Sequence, residues 1–141
     1  MPAVVPSQIT VQFVASSWAE VAFHELAGAG KLSRASITNR LSGALEGEGV
    51  LDYLLSYPVT EGAPVTFVGY ERIVGRIGAL QGSFVLRHDG VFSKIAGVTG
   101  RLDVVPGRGT GAFADIYGDG TISAKVGEHG GVYALTLTAT V

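Results

Sequence analysis

Period-two alternation of apolar and polar side chains, broken every few residues by glycine, constrains this chain more than any other feature. Ile9–Val14 puts Ile9, Val11 and Phe13 on one side and Thr10 and Gln12 on the other. Val132–Val141 sets Tyr133, Leu135, Leu137 and Ala139 against Ala134, Thr136, Thr138 and Thr140. Successive side chains of a strand point to opposite faces, so such alternation marks half-buried strands. Ser36–Glu48 reads as one further run, with Ile37, Leu41 and Leu45 opposing Ser36, Thr38, Arg40, Ser42, Glu46 and Glu48. Val50–Tyr57, Gly100–Val105, Gly111–Tyr117 and Thr121–Val126 add more, while Trp18–Leu26, "WAEVAFHEL", reads as a short helix or a continued strand. Short runs separated by turn signals predict an all-β antiparallel sandwich or barrel, in one domain over residues 1–141. Glycine favours the barrel. Gly43, Gly47, Gly69, Gly75 and Gly82 fall on apolar-parity faces, where they supply bends and leave room inside. A barrel of about eight strands is either just filled by side chains or holds one small ligand.

Residues 72–88, "RIVGRIGALQGSFVLRH", form the clearest hairpin. A two-residue turn at Gly78-Ala79 suits type II′, with glycine first. Ile77 then faces Leu80, Gly75 faces Gly82, Ile73 faces Phe84, Glu71 faces Leu86 and Gly69 faces His88. One face gathers Phe67, Ile73, Ile77, Leu80, Phe84 and Leu86, and with them Glu71 and His88. An acid and an imidazole as diagonal neighbours, roughly 7–8 Å apart, are candidates for general acid–base work. The bland alternative pairs Glu71 with an arginine and makes His88 a satisfied structural group. If the other face lines the interior instead, Tyr70, Arg72 and Arg87 point inward.

Other features exclude more than they assign. A formal net charge of −2 with scattered basic residues argues against nucleic acid. The chain has no cysteine, which removes disulfides and thiolate metal sites and is compatible with the cytoplasm. No apolar window reaches the ~18 residues of a membrane span, and "MPAVVPSQIT" does not read as a signal peptide. His24, His88 and His129 show no metal-ligand spacing, so no metal is expected, the alternative being a ligand set assembled from distant strands as in cupins. "PGRGTG" at 106–111 lacks the Lys-Ser/Thr of a phosphate loop and reads as a tight connection between strands. Glu46 and Glu48 share one strand face, an arrangement either catalytic or simply solvated. Tyr53 shares parity with Leu51, Leu55 and Tyr57 and packs inward. Trp18 and Phe23 suit a lid or plug at one barrel end, with core packing the plainer alternative.

"SSWAE" at 16–20, "KLSRASITNRLSGALEG" at 31–47, "VGYERIVGRIGALQGSFVLRH" at 68–88 and "VVPGRGTG" at 104–111 together resemble domain of unknown function 3224. Members of that family are similar to the allene oxide cyclase barrel. The resemblance implies an eight-stranded antiparallel barrel with an interior cavity, and relatives that include cyclases of reactive apolar substrates.

The resulting expectation is a cofactor-independent isomerase or cyclase for a small hydrophobic substrate. Glu71 and His88 are its catalytic candidates, with Glu46 a further one. Tyr53, Tyr70, Phe67, Phe84, Leu86 and Tyr133 are the candidate substrate wall. Alternatives are a non-catalytic carrier of an apolar molecule and a filled barrel serving as an oligomeric module. Apolar residues on both parities, such as Val74 and Val85 opposite the Ile73 face, suggest a homo-oligomer of two or more chains.

Overall fold

The computed structural model describes residues 8–138. Nine strands run in chain order: β1 (Gln8–Phe23), β2 (Lys31–Gly43), β3 (Glu46–Tyr57), β4 (Val65–Ile77), β5 (Leu80–Ser93), β6 (Gly97–Val104), β7 (Thr110–Gly111), β8 (Tyr117–Ala124) and β9 (Gly130–Thr138). All pairings are antiparallel. The order β4-β3-β2-β1-β9-β8-β6-β5 closes through a β4–β5 pairing into an eight-stranded barrel, while β7 is a two-residue bridge on β5. The described residues contain no helix.

The β4–β5 hairpin adopts the register read from its turn: Ile77 pairs Leu80, Ile73 pairs Phe84, Glu71 pairs Leu86 and Gly69 pairs His88. Gly78 has φ of 61° and Ala79 is not in the left-handed region, the type II′ pattern. This register carries the parity of Glu71, Ile73, Phe84, Leu86 and His88 into the lumen, where all five are buried. The alternative face is outside: Tyr70 is 59% exposed and Arg72 is exposed.

Three stretches depart from the sequence reading. Ser36–Glu48 is not one strand but the end of β2, a turn at residues 44–45 and the start of β3. The turn keeps Leu45 buried on the same side as Leu41, so alternation runs unbroken through the reversal. Gly111–Tyr117 is mostly a turn, and it plugs one barrel end by burying Phe113 and Ile116. Trp18–Leu26 continues β1 as strand through Phe23. A β-bulge lies between Ala15 and Ser17, so Trp18 faces the interior as Phe13 does, although the two have opposite parity. Ala139 to Val141, the end of the last predicted run, lie outside the described residues.

The lumen has two unlike halves. Toward the plugged end, Leu41, Leu45, Ile73, Ile77, Phe84, Leu86, Leu102 and Phe113 fill it, with Phe84 and Phe113 edge to face at 5.6 Å. Toward the other end, Ile37, Tyr53, Leu55 and Phe67 are part of the wall of a cavity of about 620 Å³. The barrel is therefore half filled and half open.

Because nothing crowds Gly78, the cost of a side chain there is purely conformational. Gly78→Ala should lower stability by about 1–2 kcal/mol in urea denaturation, with the barrel otherwise unchanged.

Candidate functional site

Between the two apolar clusters lies a layer of polar side chains, each delivered by its strand register. Asn39 on β2 sits two residues from Ile37 and from Leu41; its β3 partner is Gly49. Glu71 on β4 lies across from Leu51 on one side and Leu86 on the other. His88 on β5 lies between Gly69 and Leu102. Tyr53 and Tyr133 come from β3 and β9. Glu71, His88 and Tyr133 have no exposure, and Asn39 and Tyr53 are buried.

These five side chains form one hydrogen-bonded network. The Glu71 carboxylate receives His88 Nε2 at 2.9 Å and the Tyr133 hydroxyl at 2.8 Å on Oε1, and Asn39 Nδ2 at 3.3 Å on Oε2. Asn39 Nδ2 also donates to the Tyr133 hydroxyl at 3.2 Å. On its far side, His88 Nδ1 meets the Tyr53 hydroxyl at 2.8 Å. The aromatic rings clamp the arrangement: Tyr53 and Tyr133 each approach His88 edge to face, at 5.3 and 5.7 Å. Tyr53 also packs on Phe67 at 4.6 Å, and Tyr133 on Phe13 at 4.7 Å.

Sealing a carboxylate from water costs several kcal/mol even after relaxation. A hydrogen bond to a charged group returns about 1.5–3 kcal/mol, so the three donors on Glu71 are what make its burial tolerable. No arginine takes part, and the arginine-pairing alternative for Glu71 is not realised among the described residues. Two close approaches make the space. A methyl group at Gly49 would overlap the Glu71 carboxylate, lying 2.7 Å from its Cδ, and one at Gly69 would press the Tyr53 ring at 2.9 Å. Small residues on neighbouring strands thus seat the acid and the phenol.

Hydrogen-bond accounting assigns the protons. A carboxylate accepts only, so Nε2 of His88 carries a proton toward Glu71. Burial, reinforced by the Glu71 charge, pushes the Tyr53 hydroxyl well above its ordinary range, so it keeps its proton, which Nδ1 accepts when the imidazole is neutral. Burial and the same charge act likewise on Tyr133. The chain therefore runs from the Tyr53 hydroxyl through the imidazole to Glu71.

Tyr53 and Asn39 are the members of this network that line the cavity, whose wall is otherwise mostly apolar. A second polar group stands nearer the outside: Glu20 accepts from Ser33 at 2.6 Å, Tyr57 at 2.5 Å and the Trp18 indole at 3.2 Å. Burial works to raise the Glu20 carboxyl, yet these donors together hold it below its usual value. Burial and Glu20 push the Tyr57 hydroxyl up to about 12.

Of the residues expected from sequence, Glu71, His88, Tyr53 and Tyr133 meet in the network, and Phe67 joins Tyr53 in the cavity wall. Others fall elsewhere. Glu46 is exposed on the barrel exterior, 3.6 Å from Arg76, because the turn at 44–45 returns the chain with its side chain outward. Tyr70 is exterior because its parity opposes Glu71. Phe84 and Leu86 do not wall the cavity; they lie in the packed half. Glu71 itself is enclosed by its donors and does not line the cavity; it is linked to the cavity wall only through Asn39 and through the His88–Tyr53 pair. The sequence reading overlooked Asn39, although its parity with Ile37 and Leu41 placed an amide on an apolar face. The inward positions of Trp18 and Glu20 gave no such signal.

Fold and site together define a closed antiparallel β-barrel whose half-open lumen ends on a buried acid–imidazole–phenol network. The chain belongs to the family of proteins of unknown function DUF3224, whose profile matches residues 9–137. A crystal structure of a DUF3224 protein of unknown function from Shewanella oneidensis MR-1 is similar, with a TM-score of 0.69 and 26% identity over 91% of this chain and 95% of that one. No curated protein matches the chain.

Replacing Glu71 tests the network energetically. Glu71→Ala strands the donors of His88, Tyr133 and Asn39 and should cost about 3–5 kcal/mol in urea denaturation. Glu71→Gln keeps an acceptor in place and should cost clearly less; equal losses would show that the hydrogen bonds contribute little.

Proposed function

We propose that the protein is a cofactor-independent isomerase or cyclase that holds a small hydrophobic molecule in the open half of the barrel and moves a proton on it through Tyr53. One observation carries this reading: Tyr53 both walls the cavity and bonds to His88, which is bonded in turn to Glu71. In the proposed step a substrate C–H proton passes to the Tyr53 oxygen as the Tyr53 proton passes to His88 Nδ1. The imidazolium so formed lies 2.9 Å from the Glu71 carboxylate, so its charge is compensated where it appears. Running the relay backward returns a proton at another atom of the substrate, which completes an isomerisation and restores every group. A relay avoids a free tyrosinate, which burial and the Glu71 charge both disfavour at this position. Glu71 and Tyr133 are positioning residues in this scheme. General acid–base assistance of this kind contributes about 10²–10⁴-fold, and the apolar wall adds proximity and exclusion of water.

The same apolar wall suits the alternative reading, a carrier that binds its ligand unchanged. Homo-oligomer formation is proposed alongside either reading. It is supported by the outer face of β3 and β4, where exposed Leu54 pairs with exposed Val68 and Val50, Tyr70 and Val74 lie nearby. Val85, by contrast, is covered within the chain itself.

Native mass spectrometry of freshly purified protein should reveal a discrete apolar adduct and the mass of the assembly. Extracted after incubation in D₂O and washed back into H₂O, that molecule should carry carbon-bound deuterium when held by the unaltered protein. Tyr53→Phe should slow the uptake at least about 10²-fold. A retained molecule that takes up no deuterium would establish the carrier and overturn the catalytic reading.

A further inference from the structure

The chemistry at the cavity floor specifies which end of a ligand points inward. Asn39 and Tyr53 meet there, and the hydrogen-bond donors of both are committed. Asn39 Nδ2 serves Glu71 Oε2 and the Tyr133 hydroxyl, and the Tyr53 hydroxyl proton serves His88 Nδ1. The amide cannot be turned over, because its oxygen would then face the Glu71 carboxylate. What the floor has left to offer is acceptors: Asn39 Oδ1 and the remaining lone pair of Tyr53. Among the described residues no group donates to Asn39 Oδ1. No buried side-chain polar atom among them is sealed without a partner, so Oδ1 opens on the cavity that Asn39 lines.

Charge narrows the class further. The wall of the cavity includes no lysine or arginine among the described residues; its ionisable side chains besides tyrosine are Glu128 and His129, both exposed in the loop before β9, and Glu71 lies behind the floor against Asn39. A carboxylate or phosphate entering head first would face acceptor atoms and negative charge, with no counter-ion at the floor. An ether or ester would bring acceptors to acceptors.

We infer that the cavity takes an uncharged apolar molecule carrying a hydroxyl or amide N–H group, inserted with that donor toward Asn39 Oδ1. This rests on reading the cavity as a ligand site, as the proposed function does, but not on catalysis.

Trp18 is the sole tryptophan and lines the cavity, so its fluorescence reports occupancy without a label. The protein is titrated with three rigid cage probes: adamantanol, adamantyl methyl ether and adamantane carboxylate. The alcohol should bind at least about tenfold more tightly than the ether, the worth of one well-placed hydrogen bond, and the carboxylate should bind most weakly. Asn39→Leu should bring alcohol and ether to equal affinity by weakening the alcohol alone. If that variant fails to fold, the alcohol-to-ether ratio of the unaltered protein decides the matter. Equal affinities for alcohol and ether, tightest binding of the carboxylate, or no binding of any probe would each overturn the inference. Alcohol preference without deuterium uptake would leave it standing and remove only the catalytic reading.

Discussion

A carboxylate sealed within a β-barrel dictates much of what surrounds it. Glu71 has no exposure and no lysine or arginine beside it, so its charge is held by hydrogen-bond donors, the His88 ring among them. Those donors come from three other strands, β2, β5 and β9, and the network therefore ties together parts of the chain far apart in sequence. Each donor must be placed to within a few tenths of an ångström to be useful. Strand register supplies that accuracy: the β4–β5 hairpin sets Glu71 against His88, and the β2–β3 pairing sets Asn39 beside Gly49, where the carboxylate lies.

The network also divides the lumen. Below it, large side chains fill the barrel down to the Phe113 plug; above it, a cavity opens whose wall is mostly apolar. A polar layer with nothing beyond it would be a costly way to build a core, since well-packed apolar residues commonly match or exceed a buried ion pair in stability. Its position at the floor of a cavity, with Tyr53 facing both ways, gives the cost a use. In the proposed function the filled half is the rigid support on which such a site depends, and the open half is the place for its substrate.

How much of this was legible in the sequence follows from how local each signal is. The β4–β5 register needed only the Gly78-Ala79 turn and strict alternation, which put Glu71 and His88 on one face; alternation alone does not decide whether that face or the opposite one lines the interior. Tyr53 and Tyr133 were legible for the same reason. The reversal at residues 44–45 was not, because Leu41 and Leu45 keep one parity across it and imitate a continuous strand. Glu46 keeps its outward parity across the reversal and is solvated, the plainer of its two readings. The bulge near Ser16 shifts parity by one, so the inward positions of Trp18 and Glu20 could not be counted from Phe13. Phe84 and Leu86 show a different limit: alternation tells inside from outside but not the packed half of a lumen from the open half. Asn39 was readable in principle, as an amide on the face of Ile37 and Leu41.

The central claim is that the buried network is a proton path running from Tyr53 through a neutral imidazole to an ionised Glu71. Nitrogen-15 NMR of the His88 ring, assigned against a His88→Gln variant, tests it most directly. The account predicts a proton on Nε2 and none on Nδ1 at neutral pH, with Nδ1 accepting from Tyr53. A proton found on Nδ1, whether alone or in an imidazolium, would contradict it, because Tyr53 could then not donate along the path.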